Sequence, residues 1–341
     1  MFSKLFDSFL VHYLERFNDH CFTVKIGDNE YTIGDGESEF TVIVNRDIPK
    51  KDLLISAELA LGEAYMRKDI EIEGDLFKAL CVVLGHVGKD SINRKVLSSL
   101  FNAGLKKKDQ KQQVSSHYDL GNEFYKLWLD ETMSYSCAYF KHENDSLKDA
   151  QYQKVHHILD KLYLKEGMTL LDIGCGWGFL LIEAARKYGV KGYGCTLSEE
   201  QWKKGQERIK EYGLEGQVEI ELIDYRDVAA SGRTFDRIVS IGMLEHVGRP
   251  NFPLYMEDAS EMLKDGGLFL LHYISDPSEK ETSAWIRKYI FPGGCLPSLR
   301  EMVSLAYDYD MNVIDVESLR YHYYKTLMHW YNNFQGVRER V

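Results

Sequence analysis

Between Thr169 and Gln201 the chain reads TLLDIGCGWGFLLIEAARKYGVKGYGCTLSEEQ, and this stretch constrains the fold more than any other. An apolar run through Asp172 to Ile173 meets glycines at alternating positions, Gly174, Gly176 and Gly178. Phe179 to Tyr188 then has helical spacing, and Gly192 to Thr196 is a second short apolar run. Strand, tight turn, helix and strand at this distance form a βαβ unit. Glycines let the backbone turn sharply and let a ligand approach it without a Cβ in the way. The helix start behind them presents free N–H groups. The spacing D-x-G-x-G-x-G is not the dinucleotide fingerprint G-x-G-x-x-G. It suits a small zwitterion carrying a sugar better than a pyrophosphate.

The pattern continues downstream. Ser198 to Tyr212 reads as a helix, with Ser198 as N-cap and Gln201 three residues on completing a capping box. Gln217–Ile223, Phe235–Ile241 and Leu268–Ile274 read as strands, Met256–Leu263 as a helix, Met311–Glu317 as a returning strand and Leu319–Asn333 as a last helix. Strands alternating with helices imply an α/β fold with a mostly parallel sheet. Ligands of such sheets bind at the carboxyl ends of the strands. The loops after Ile173, Thr196, Ile223, Ile241 and Leu271 should therefore converge.

Upstream, the pattern changes. Phe2, Leu5, Phe6, Phe9, Leu10, Tyr13, Leu14 and Phe17 repeat at helical spacing, as in a helix packed on its own domain, on a twin subunit or at a membrane surface. Cys21–Ile26 and Glu39–Val44 read as strands, Asp52–Met66 as a helix, and GEAYMRKDIEIEGDL as the lead into another. A separate α+β domain over 1–103 fits this, followed by the lysine- and glutamine-rich linker 104–113 and a domain over 114–341. A helix is expected from about Gly121 to Trp128 and another over Leu147–Leu162. The chain is long enough for two domains, at 341 residues.

The formal net charge of −11 argues against a general nucleic-acid binder. The six cysteines contain no C-x-x-C pair, which argues against zinc and disulfide frameworks and for a reducing cytoplasm. No run of about 18 apolar residues is present to span a membrane.

LLDIGCGWG followed by TLSEEQ resembles motif I and its sequel in S-adenosylmethionine-dependent methyltransferases. With YSCAYF from Tyr135, EHVG from Glu245, KYIFPGGCLP from Lys288 and YHYYKTL from Tyr321, the chain is identified as a member of the cyclopropane-fatty-acyl-phospholipid synthase family, whose mycobacterial relatives modify mycolic acids. The resemblance runs from about Leu54 to Phe334. It implies a Rossmann-like methyltransferase fold behind a small N-terminal domain linked to lipid handling and subunit contact, and a cover over the substrate at Trp285–Pro297. It assigns Tyr135, Ser136, Asp172, Gly174, Gly176, Gly178, Thr196, Gln201, Tyr225, Arg226 and Ile241 to S-adenosylmethionine. It further implies that Glu245, His272 and Tyr323, with backbone groups of Cys137 and Ile274, hold a bicarbonate that acts as base. The residues alone leave Glu245 or His272 as the direct base equally open.

Family members continue several tens of residues past the stretch matching HWYNNF, whereas this chain stops at Val341. Tyr225-Arg226 replaces the Trp-Glu pair of the mycolic relatives, which favours the phospholipid branch. The expected protein is a cytoplasmic homodimer that meets the inner face of the membrane transiently and converts cis double bonds of phospholipid acyl chains to cyclopropanes. A methyl or methylidene branch, or non-catalytic lipid binding, are the other readings.

Overall fold

The computed structural model describes residues 10–87, 121–279 and 282–340. They form two compact units, one of 10–87 with 282–290 and one of 121–279 with 291–340. The linker 104–113 and the first residues of the opening helix lie outside the described residues.

The first unit holds a four-stranded sheet of β1 (Phe22–Ile26), β2 (Asn29–Ile33), β3 (Phe40–Val44) and β4 (Ile70–Gly74), in the order β2-β1-β3-β4. β1 runs parallel to β3, and the other two pairings are antiparallel. Two of these strands, β2 and β4, are not in the sequence expectation, although Ile70 and Ile72 alternate with Glu71 and Glu73 in the manner of a strand with one wet face. Leu10, Leu14 and Phe17 are buried in this unit's core, so the described part of the opening helix packs on its own domain. The helix Lys50–Met66 receives a second helix, Ala284–Tyr289, from far along the chain. Gly62 makes this approach possible, because a Cβ there would lie 2.5 Å from Cδ1 of Trp285. Ser283 donates to Glu58, Lys288 pairs with Glu63, and the Tyr289 hydroxyl donates to Glu63 at 2.9 Å. The first part of the expected substrate cover thus belongs to this unit.

The second unit is built on a five-stranded sheet of β5 (Thr169–Ile173), β6 (Lys191–Thr196), β7 (Val218–Leu222), β8 (Phe235–Ile241) and β9 (Leu263–His272), in the order β7-β6-β5-β8-β9. Every pairing is parallel. The chain starts at the centre, winds outward to β7, then returns to the other side of β5. The switch lies between β5 and β8, where such folds bind ligands. Leu170, Leu171 and Ile173 are fully buried, as expected for a central strand covered on both faces.

The returning strand expected at Met311–Glu317 is absent. Residues 311–319 pair with no strand among the described residues, and Ile314 and Val316 stand 74% and 58% exposed. A strand requires a neighbouring backbone to complete its hydrogen bonds. This segment is held by ions instead: Lys161 pairs with Asp315 at 2.5 Å and Glu317 at 2.6 Å, and His157 meets Glu317 at 2.7 Å. Among the described residues no helix is long and apolar enough to cross a membrane.

Candidate active site

The turn after β5 forms a cradle. Gly174, Gly176 and Gly178 all have positive φ, at 80°, 55° and 79°. The N–H groups of Gly174 and Cys175 both donate to the Cys195 carbonyl at 3.1 Å, drawing the turn against the end of β6. A Cβ on Gly178 would come within 2.5 Å of Ile220 Cδ1, and one on Gly174 within 2.8 Å of Met243 Cγ. At Gly176 a Cβ would meet no protein atom and would project into the open space. Gly178→Ala is expected to lower stability by roughly 1–3 kcal/mol through its left-handed backbone alone, read as a drop in the unfolding midpoint. An unchanged midpoint would show that the turn relaxes freely.

A cavity opens above this cradle. Tyr135, Ser136, Gly174, Gly176, Thr196, Gln201, Tyr225 and Ile241 all line it. Thr196 Oγ1 donates to Gln201 Oε1 at 2.8 Å, and this corrects the expected capping box. Ser198 does cap the helix, accepting from Gln201 N at 3.3 Å, but the Gln201 side chain serves Thr196 rather than the helix start.

Three of the expected cofactor residues do not line the cavity. Asp172 is 3% exposed beneath the turn, and Gly178 shapes the turn as N-cap of the helix Phe179–Tyr188. Arg226 is turned onto Asp224, with Nε donating to Oδ1 at 2.8 Å and its terminal nitrogen to Oδ2 at 2.6 Å. Asp224, absent from the sequence expectation, lines the cavity in its place.

Of the expected catalytic residues, Glu245, His272 and Ile274 sit at the ends of β8 and β9, whereas Tyr323 lies on the helix Arg320–Val337 and Cys137 on the segment before the helix Leu147–Lys161. Glu245 follows β8 on a short 3-10 turn, Leu244–His246. Its Oε1 accepts from the Ile274 N–H at 2.7 Å, and its Oε2 is buried with no hydrogen-bond partner among the described residues. Burial pushes this carboxyl up to about 7. The Ile274 N–H is therefore occupied by Glu245 and not open to a ligand. His272 ends β9, and burial, aided by the Lys154 cation, draws its imidazole down to about 4, so it is neutral at pH 7. Burial raises the Tyr323 phenol, and Tyr135, Glu245 and Cys137 are near enough to raise it further. Cys137 is held up at about 11 by burial. Phe291 lies against Tyr135 at 6.3 Å and His246 at 5.7 Å between ring centroids.

Around Tyr135 stands an aromatic cluster of Tyr125, Trp128 and Trp330, with centroids 5.6, 5.2 and 5.1 Å away. The indole N–H groups of Trp128 and Trp330 have no hydrogen-bond partner among the described residues. Among the lining residues that escaped the sequence reading are Lys154, Trp177, Asp224 and His246. Trp177 Nε1 donates to Asn122 at 2.7 Å, which ties the entry helix Asn122–Lys126 to the glycine turn.

A glycine cradle, a hydroxyl–amide pair over β6, an acid after β7 and a buried carboxyl after β8 fit a nucleoside carrying an amino acid beside a proton-accepting site. Residues 105–341 match the family model described as mycolic acid cyclopropane synthetase, and residues 9–89 match a domain of unknown function. The chain is 42% identical over 292 residues to the cyclopropane-fatty-acyl-phospholipid synthase of Escherichia coli K12, covering 83% of this chain and 74% of that one. It is 37% identical over 325 residues to a probable fatty acid methyltransferase of Pseudomonas putida, covering 92% and 80%. The mycolic acid cyclopropane synthase CmaA1, solved in complex with SAH and CTAB, superposes with a TM-score of 0.63 at 35% identity, covering 67% of this chain and 85% of that one. The chain belongs to the mycolic acid cyclopropane synthetase family.

Proposed function

We propose that this protein uses S-adenosylmethionine to add a methylene across the cis double bond of an unsaturated acyl chain in a phospholipid. The observation that carries the reading is Glu245, a buried carboxyl with one oxygen unpartnered, at the strand ends that adjoin the glycine-lined cavity. The cradle of Gly174 and Gly176, with Thr196, Gln201, Asp224, Tyr225 and Ile241, would hold the nucleoside and its amino-acid end. Tyr135 and Ser136 close over it.

S-adenosylmethionine, when bound, supplies an activated methyl group. The work left to the protein is alignment, which can be worth roughly 7–11 kcal/mol, and protection of the reactive intermediate. A methylated alkene is a carbocation, and water would convert it to an alcohol. The aromatic cluster around Tyr135 excludes water and offers ring faces to the cation, each worth roughly 0.5–2 kcal/mol. A proton must then leave the new methyl so that its carbon can close the ring. Glu245, His272 and Tyr323, with backbone groups near Cys137, would hold a bicarbonate that accepts this proton. A carboxyl with its pKa near 7 is in part protonated at neutral pH, so its free oxygen can donate to such an anion instead of repelling it.

The reading includes contact with a lipid surface, a twin subunit and the domain organisation 1–103 and 114–341. The test is a mass-spectrometric product assay with S-adenosylmethionine, bicarbonate and vesicles of cis-unsaturated phospholipid. An acyl chain heavier by one methylene and resistant to double-bond cleavage is expected, with yield falling when bicarbonate is removed. A heavier chain that keeps its alkene would favour a methylidene product, consistent with the likeness to a probable fatty acid methyltransferase. No adenosyl binding would sink the reading.

A further inference from the structure

Among the described residues that line the cavity, Lys154 is a cation that the site's chemistry has not used. It lies on the helix Leu147–Lys161, is 4% exposed and lines the cavity. Its Nζ donates to Ser136 Oγ at 3.0 Å. Gln151, one turn earlier, donates to the Ser134 and Ser136 carbonyls at 3.3 and 3.0 Å, so the same helix fixes the backbone on both sides of Tyr135. An ammonium carries three donors, and the hydroxyl of Ser136 is its hydrogen-bond partner here. Because that hydroxyl oxygen accepts from Lys154, its own proton is free to be donated to a ligand. Two acids stand behind the lysine without forming a direct ion pair with it: Asp172 beneath the glycine turn and Asp130 just after the helix Asn122–Lys126. Asp130 is itself held by the N–H and hydroxyl of Thr132 at 3.0 Å each.

We infer that Lys154, together with the Ser136 hydroxyl, is the receptor for the carboxylate at the amino-acid end of the adenosyl cofactor, and that Asp172 and Asp130 are positioning residues that keep its charge in place. The inference rests on the functional reading above and adds a binding residue to it. A buried ammonium is stable only with compensating charge. With two acids beside it, the group bears a net single negative charge when ionised. A zwitterion leaves that balance unchanged, and a sulfonium offsets it. Burial draws the lysine down to about 8, opposed by Asp130, Cys137 and Asp172 in that order. An incoming carboxylate would raise it again.

The test compares two probes by calorimetry, S-adenosylhomocysteine, which has the amino-acid end, and methylthioadenosine, which lacks it. Lys154→Met should weaken S-adenosylhomocysteine roughly 10- to 100-fold, the loss of a charged hydrogen bond. Methylthioadenosine should be unchanged within about twofold, and Lys154→Arg should recover part of the loss. Equal losses for both probes, or no loss for either, would overturn the inference. If the unaltered protein binds neither probe, the functional reading has failed and takes this one with it. Should Lys154→Met not fold, the unaltered protein labelled with 15N-lysine decides. S-adenosylhomocysteine must shift the titration of one lysine ammonium upward and methylthioadenosine must not; a lysine signal blind to both refutes the assignment.

Discussion

Glu245→Gln is expected to lower turnover by roughly 10²–10⁴-fold, the range of a lost acid–base group. Binding of S-adenosylhomocysteine should stay within about twofold, because Glu245 is not among the residues lining the cofactor cavity. The same change should stabilise the protein at alkaline pH. Burial lifts this carboxyl from 4.5 to about 7, with the Ile274 N–H opposing it. Between those values the folded protein retains a proton that the unfolded chain has released. Stability due to this group is therefore fully present below pH 4.5 and lost as pH rises through about 7. The loss is on the order of 3 kcal/mol. Glutamine cannot ionise, so the variant should exceed the parent in denaturant resistance at pH 8 and match it near pH 4.5. Parent-like turnover would remove Glu245 from the chemistry. Equal stability at both pH values would mean that the ionised carboxylate is compensated.

Tyr125→Ala should cost roughly 3–5 kcal/mol, the range for deleting a buried aromatic ring. That is a large share of the roughly 5–15 kcal/mol that holds a typical protein folded. The ring is 1% exposed and sits between Phe124, Trp128, Tyr135 and Trp177, all with centroids within 5.7 Å. Tyr135 and Trp177 line the cavity, so S-adenosylhomocysteine binding should weaken as well. Denaturant titration should show a lower midpoint at constant slope. A loss below about 1 kcal/mol would mean that the cluster collapses into the space.

The doubly wound sheet was legible because its strands are short apolar runs or, as in β7, alternating ones, set between helical patterns, and because the glycines at 174, 176 and 178 mark a tight turn behind the first of them. Other features were hidden for identifiable reasons. Met311–Glu317 has the composition of a strand, but pairing depends on a neighbour that local sequence does not contain. Arg226 occupies a site position by resemblance, yet Asp224 two residues earlier captures its guanidinium, a competition invisible without side-chain geometry. Glu71 and Glu73 made β4 look polar, although the alternation with Ile70 and Ile72 was there to be read. Lys154 left the clearest trace. Leu147, Ala150, Gln151, Lys154, Val155 and Ile158 are spaced as the buried face of one helix, and all six are buried. A lysine in such a row is a charge that the fold must accommodate, and that periodicity marks it before any coordinates exist.

The helix Ala284–Tyr289 sets an order on how the protein can be made. Residues 10–87 leave the ribosome before the later segment, and the partner for the Gly62 face of their helix Lys50–Met66 is encoded about 200 residues further on. At roughly 5–20 residues per second, that face waits on the order of 10–40 s for Trp285. During that interval Glu58 and Glu63 stand without Ser283, Lys288 and Tyr289, and their polar side chains keep that helix face wet rather than adhesive. A single cut in the gene cannot separate the two units, since the earlier one is finished by a piece translated inside the later one.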